Sequence, residues 1–196
     1  MNKAVCLGQP DRKTLVTWAS AGISTSFTDY EFATLKEYLQ LIEARQFSAL
    51  LFDGALLQIS YTVHRDQEVV DHRLCWYPCP VHLTREDLEV APIEEIVRST
   101  PVTAMRCRGP VRFDFSPHQI KEGHSSSHLH VFQEGCRIPV KGPLDLHTFS
   151  NCVLSHFYPK PWTCHKTTFA TVGWGGDCTL TAAEYRSPHL FWNNSV

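Results

Sequence analysis

The chain has 196 residues, 43% of them hydrophobic, and its 18 Lys and Arg stand against 20 Asp and Glu for a net charge of -2. That apolar share supports a folded core and excludes a mainly disordered chain. Near-neutrality excludes a global electrostatic footprint for nucleic acid or an anionic membrane and leaves room only for a local basic patch.

No apolar run approaches the roughly 18 residues of a membrane helix. Met1 to Gly8 holds no sustained apolar stretch of the kind a secretory signal carries. The expectation is a cytoplasmic chain without membrane contact. The 8 Cys are scattered and read as reduced, mostly buried thiols. The 11 His are less even, with four falling between His118 and His130.

Residues 1–28 are polar and mixed, and no element is assigned to them. Residues 29–196 are expected to form a single domain. Asp29 is a candidate N-cap, and Phe32, Leu35, Tyr38, Leu39 and Ile42 recur at spacings of three and four, which predicts a helix over 30–46. Asp53-Gly54 marks a turn. Leu56 to Val63 alternates and is rich in β-branched residues, so with Val69 to Tyr77 it predicts a hairpin that Pro78 and Pro80 end. A second helix is expected within 84–99, with Pro92 in a first turn and Pro101 closing it. Val102 to Phe115 and Ser127 to Val140 have strand character on either side of a polar loop and predict a second hairpin. Leu146, Phe149, Val153, Leu154 and Phe157 mark a third helix, ended by Pro159 and Pro161. Residues 162–180 carry no assignment, Thr181 to Arg186 is a short helical stretch, and Pro188 to Trp192 is expected to pack an aromatic end on the body. The order gives an α+β class, an antiparallel sheet of hairpins packed with about three helices.

The first constellation is Arg112-Phe-Asp114-Phe followed by His124-Ser-Ser-Ser-His128-Leu-His130. Strand alternation sends Arg112 and Asp114 to one face, and likewise His128 and His130. Pairing of the two strands would gather all four, with His124 arriving from the loop. Such a set can hold a divalent metal, can supply a general base with an Arg on a phosphate, or can simply satisfy itself and brace the hairpin. Arg137 and Lys141 are candidate substrate-binding cations. Odd separation aims Arg137 at the opposite face of a regular strand, unless a bulge intervenes. Lys121, Lys160 and Lys166 extend this into a modest basic patch, with Trp162 and Trp174 as stacking surfaces.

A second constellation, His72, Cys75, Cys79 and His82, has the donor types of structural zinc. Odd separation sends His72 and Cys75 to opposite faces, and Pro78 and Pro80 hold an extended backbone, so buried thiols are the favoured reading. Cys136, Cys152 and Cys164 have sequence-near histidines but none of the local signatures of a nucleophilic cysteine. Phosphate-loop, dinucleotide and His-Glu-x-x-His patterns are missing from the sequence.

Arg112-Phe-Asp-Phe, His124, Ser127-His-Leu-His130, Cys136-Arg-Ile-Pro-Val, Gly142-Pro-Leu144 and Phe149 through His156-Phe-Tyr-Pro159 resemble a bacterial family of unknown function. Arg73-Leu-Cys-Trp-Tyr-Pro78 and the helix near 30–46 fit the same pattern, so the likeness runs from about residue 30 onward. Residues 112–130 are also similar to TumE-type toxins of toxin–antitoxin pairs, which carry an Arg-aromatic-Asp strand before a His-x-His strand. That similarity implies a defence- or toxin-associated role with nucleic acid as target. One His would act as base and Arg112 as phosphate clamp. The alternative is a non-catalytic binding or assembly subunit, working with a protein partner encoded nearby. The 5 Trp, 11 Phe and 6 Tyr are compatible with such an interface. No resident cofactor is expected, and a divalent metal is the open alternative.

Overall fold

Two strands near the N-terminus, β1 (Val5–Gly8) and β2 (Lys13–Thr17), pair antiparallel. The computed structural model describes residues 5–8, 13–18, 34–66, 68–119, 124–133, 135–169 and 176–190. Helix α1 (Leu35–Glu43) begins later than its periodicity predicted, because Thr34 caps it by accepting from the Glu37 amide at 3.1 Å. Asp29 and Phe32 lie outside the described residues. A short β3 (Ala49–Leu50) leads through Gly54 into β4 (Leu56–His64), and β4 turns into β5 (Val69–Tyr77) as the alternation predicted. The 84–99 stretch holds two helices, α2 (Arg85–Val90) and α3 (Ile93–Ser99). Pro92 has no amide hydrogen to continue α2 and instead serves as N-cap of α3.

The second hairpin is β6 (Val111–Phe115) with β7 (Ser127–Val131), each shorter than its strand-like stretch of sequence, followed by β8 (Ile138–Pro139). Helix α4 (Leu146–Phe157) matches its predicted bounds. Pro159 also opens a further helix, α5 (Pro159–His165), where its fixed φ suits the first turn. The eight strands form one antiparallel sheet in the order β1-β2-β4-β5-β6-β7-β8, with β3 beside β4. The class is α+β, with five α-helices among the described residues in place of about three.

Strand parity divides the sheet into two faces. Ile59, Leu74, Trp76, Phe113 and Leu129 share one face and pack on Phe149 and Val153 of α4. Leu56, Cys75 and Tyr77 point the other way, under α1 and α3, where Tyr38, Leu41, Ile42, Ile93 and Val97 close an apolar core. Gln58 bounds that core and donates to the Gln46 carbonyl at 2.7 Å. Beyond it the same face turns polar at Ser60, Thr62 and Arg73. No described helix is long and apolar enough to cross a membrane.

Candidate functional site

The polar end of that face opens into a pocket of about 390 Å³. Register builds it. Asp114 lies opposite His128 on one side and Arg73 on the other, and Arg112 lies opposite His130 and Cys75. Direct antiparallel partners share a face, so three strands deliver their polar side chains to one place. Arg112, Asp114, His128 and His130 are thereby gathered, and His124 joins them from the loop before β7. His124 and His128 meet edge to face with centroids 4.7 Å apart, as do His128 and His130.

Asp114 is the centre of the cluster. Its Oδ2 receives Nε of Arg112 at 3.0 Å and Nη2 at 2.9 Å, with Nε2 of His130 at 3.4 Å, His128 at 3.9 Å and Arg73 at 4.0 Å. Asp114 is 7% exposed and Arg112 2%. Burial alone would raise the carboxyl's pKa. The hydrogen bond from His130 and the charges of Arg112 and Arg73 outweigh it and hold the group well below the usual carboxylate range. Oδ1, in contrast, is buried and accepts no hydrogen bond from the described residues. A bare buried carboxylate oxygen is costly, which makes it a place for a donor or a cation.

His128 has a defined proton position. Its Nδ1 sits 2.9 Å from the Ser125 carbonyl, which can only accept, so Nδ1 carries the hydrogen and Nε2 keeps its lone pair. Burial pushes this ring's pKa down to about 4, against the upward pull of Asp114, so it is neutral near pH 7. The loop that supplies Ser125 is fastened from a distance: Ser125 donates to Glu184, and Thr179 Oγ1 donates to Ser127 Oγ at 2.8 Å. Glu184 is in turn tied to Thr181 by paired backbone and side-chain contacts at 2.7 and 3.2 Å.

Arg137 also lines the pocket, contrary to its parity along the strand. The chain turns at Phe132, so alternation is not carried from β7 to residue 137. Leu129 pairs with Ile138 instead, and the next step of that register sets Arg137 beside His130. Lys141 is elsewhere. Its backbone bonds Leu190 and Thr179, and it is not part of the pocket lining among the described residues. Of the lysine–tryptophan patch, Lys121 and Trp174 lie outside the described residues, and Trp162 donates to Asn151 at 2.7 Å.

His72, Cys75, Cys79 and His82 do not converge. His72 is on the α4 face, where Nε2 accepts from the Leu144 amide at 2.9 Å, and burial lowers its pKa to about 4. Cys75 and Cys79 lie in the opposite core, and burial pushes the Cys75 thiol up to about 12. His82 is exposed. Seven described cysteines are free thiols, but of these only Cys75 and Cys79 are buried, against the expectation of mostly buried thiols; Cys107, Cys164 and Cys178 are exposed. Sequence reasoning missed Arg73 and Asp71, whose place in the pocket depends on β5 pairing with β6. Their only local signal is that they share the parity of Cys75.

A family model described as "Uncharacterized conserved protein (DUF2290)" matches residues 2–192, and the chain belongs to that family. No curated protein and no solved structure matches it.

Proposed function

We propose that the chain is a small effector that cleaves phosphodiesters of nucleic acid in the β5–β7 pocket, in a bacterial defence- or toxin-associated setting. The observation that carries this reading is the placing of Arg73 and Arg137 in one pocket with a neutral His128 whose Nε2 keeps its lone pair. A phosphodiester needs cationic donors for its oxygens and a base for the attacking hydroxyl. Arg112 is committed to Asp114 and almost wholly buried, which passes the phosphate role from Arg112 to the half-buried Arg73 and Arg137. His128 takes the proton of the attacking 2′-hydroxyl, or of a water molecule where the sugar has none; as the new P–O bond forms, the bond from phosphorus to the 5′-oxygen breaks and that oxygen leaves with a proton from solvent. Asp114 holds Arg112 and His130 in place, and its bare Oδ1 suits a hydroxyl donor of the sugar. The similarity of residues 112–130 to TumE-type toxins supports the setting.

The test uses the purified chain with labelled single-stranded RNA and DNA. Arg73→Ala and His128→Gln should each lower cleavage by about a hundredfold or more. Arg73→Ala should leave the melting temperature within a few degrees of wild type. No cleavage of either strand, or loss of stability with no activity to lose, would return the cluster to a bracing role.

A divalent metal is the second reading, favoured by one observation. Asp114, His128 and His130 each offer a ligand atom, and these lie within 4.8 Å of one another. The guanidinium groups of Arg73, Arg112 and Arg137 oppose it, since a dication would have to share the pocket with them. Stoichiometric metal after purification, with cleavage abolished by chelator, would favour this reading; chelator-resistant cleavage would dismiss it.

A further inference from the structure

At the other end of β6 and β7 the molecule has a second concave region. Two adjoining hollows of about 350 and 370 Å³ share Asp53, Arg108, Phe157 and Tyr158. None of their lining residues lines the first pocket. From this region we infer that the chain grips a single strand of nucleic acid here, with bases stacked on Phe52, Phe132 and Phe157 and phosphates on Arg106, Arg108 and Lys160. The inference rests on the nucleic-acid reading above and adds to it where the strand is held.

Three observations point to this occupant. The first is charge. Arg106, Arg108 and Lys160 line the cleft of a chain whose net charge is -2. Asp53, half-buried, is the one carboxylate among these lining residues, outnumbered three to one by the cations, and the Tyr158 hydroxyl shares its single proton between its two oxygens, each at 3.0 Å. The cleft therefore suits a polyanion.

The second is the aromatic surface. Phe52 is 66% exposed, Phe132 57% and Phe157 40%. Phe157 lies parallel on the buried Trp76, with centroids 3.8 Å apart and an angle of 12°. Phe52 leans edge-on to Tyr158 at 5.5 Å. These rings are held by neighbours and still show area to solvent, which is what a base-stacking platform requires.

The third is strain. Phe132 has a φ of 63°, in the left-handed region that a bulky side chain rarely adopts. Its ring rests on Gly109, where an added Cβ would lie 2.4 Å from the Phe132 ring. Folding would ordinarily bury such a ring. Here the backbone is held in an unfavourable conformation and the ring still faces solvent.

The experiment is fluorescence anisotropy of the full chain with labelled oligouridylate across a salt series. Arg106→Glu/Arg108→Glu should weaken binding about tenfold or more and reduce the steepness of the salt dependence by about one per arginine. Phe52→Ala, an exposed truncation that leaves the fold alone, should weaken binding about tenfold with the salt dependence unchanged. Lys160→Glu serves as a second charge reversal should the double variant fail to fold. Unchanged affinity in all of these variants overturns the inference, and so does competition by polyglutamate as effective as that by oligouridylate. His128→Gln should keep the binding and lose the cleavage. Cleavage by wild type with cleft variants of normal affinity sinks the cleft and leaves the pocket reading standing. Binding through the cleft without cleavage does the reverse.

Discussion

Replacing Asp114 with Asn keeps the shape of the side chain and removes the charge that faces Arg112. Arg112 is 2% exposed and its Nε and Nη2 both point at Oδ2 of Asp114, so the variant removes the negative charge that faces a buried guanidinium. Breaking a buried pair from one side costs about 3–5 kcal/mol. The amide oxygen of Asn still accepts one hydrogen bond, which places Asp114→Asn near the lower end, at about 3 kcal/mol. For a chain of this size each kcal/mol lowers the melting temperature by roughly 2–4 °C, so a drop of roughly 6–12 °C is expected. Urea and thermal unfolding followed by tryptophan fluorescence measure it, since Trp76 is buried on the opposite face. The companion Arg112→Met/Asp114→Leu removes both charges and should recover most of the loss, because the guanidinium no longer needs a partner. A single variant within about 0.5 kcal/mol of wild type, or a double variant as unstable as the single, would refute the reasoning.

Acid should act in two separate windows. His72 and His128 are lowered by burial from 6.5 to about 4, so the unfolded chain binds their protons first. Their stabilising effect is complete above about 6.5 and is lost as pH falls from there toward 4, by up to about 3 kcal/mol for each ring. Urea midpoints across that range should fall steadily, and His72→Gln should flatten the slope by about half. A flat midpoint from pH 7 to 4.5 would count against both assignments. Asp114, held below the usual carboxylate range, loses its contribution only in more acid solution. Gly54 has a φ of 82° and an added Cβ would meet Leu83 Cδ1 at 2.6 Å, so Gly54→Ala should cost roughly 2 kcal/mol in chemical denaturation. Asp145 caps α4 by accepting from the Thr148 amide at 2.7 Å, and Asp145→Ala should lower stability by about 1 kcal/mol; no change would mean that the cap is idle.

Local pattern carried much of this fold. The β4–β5 hairpin, the β6–β7 hairpin and α4 are built from contacts close in sequence, and strand parity alone grouped Arg112 with Asp114 and His128 with His130. What parity does not encode is which hairpins become neighbours. The β5–β6 pairing that brings Arg73 to Asp114 joins strands separated by α2 and α3, and it is decided by how the two apolar cores close rather than by any short motif. Arg137 was misplaced for a related reason. Parity holds only while the backbone stays extended, and the left-handed turn at Phe132 ends it. Pro159 shows a third limit: it was read as stopping a helix, while a rigid φ serves equally well to start a new one, as Pro92 does for α3.

The contacts that fasten the loop before β7 have an order in time. Thr179 and Glu184 reach back across 52 and 59 positions to Ser127 and Ser125. During synthesis the hairpin bearing Arg112, Asp114 and the three imidazoles leaves the ribosome well before the segment that secures it exists. A nascent chain thus holds every titratable group of the pocket while the carbonyl that fixes the proton of His128 is still untethered. The loop that carries Ser125 gains these two fastenings only once residues 179 to 184 are laid down.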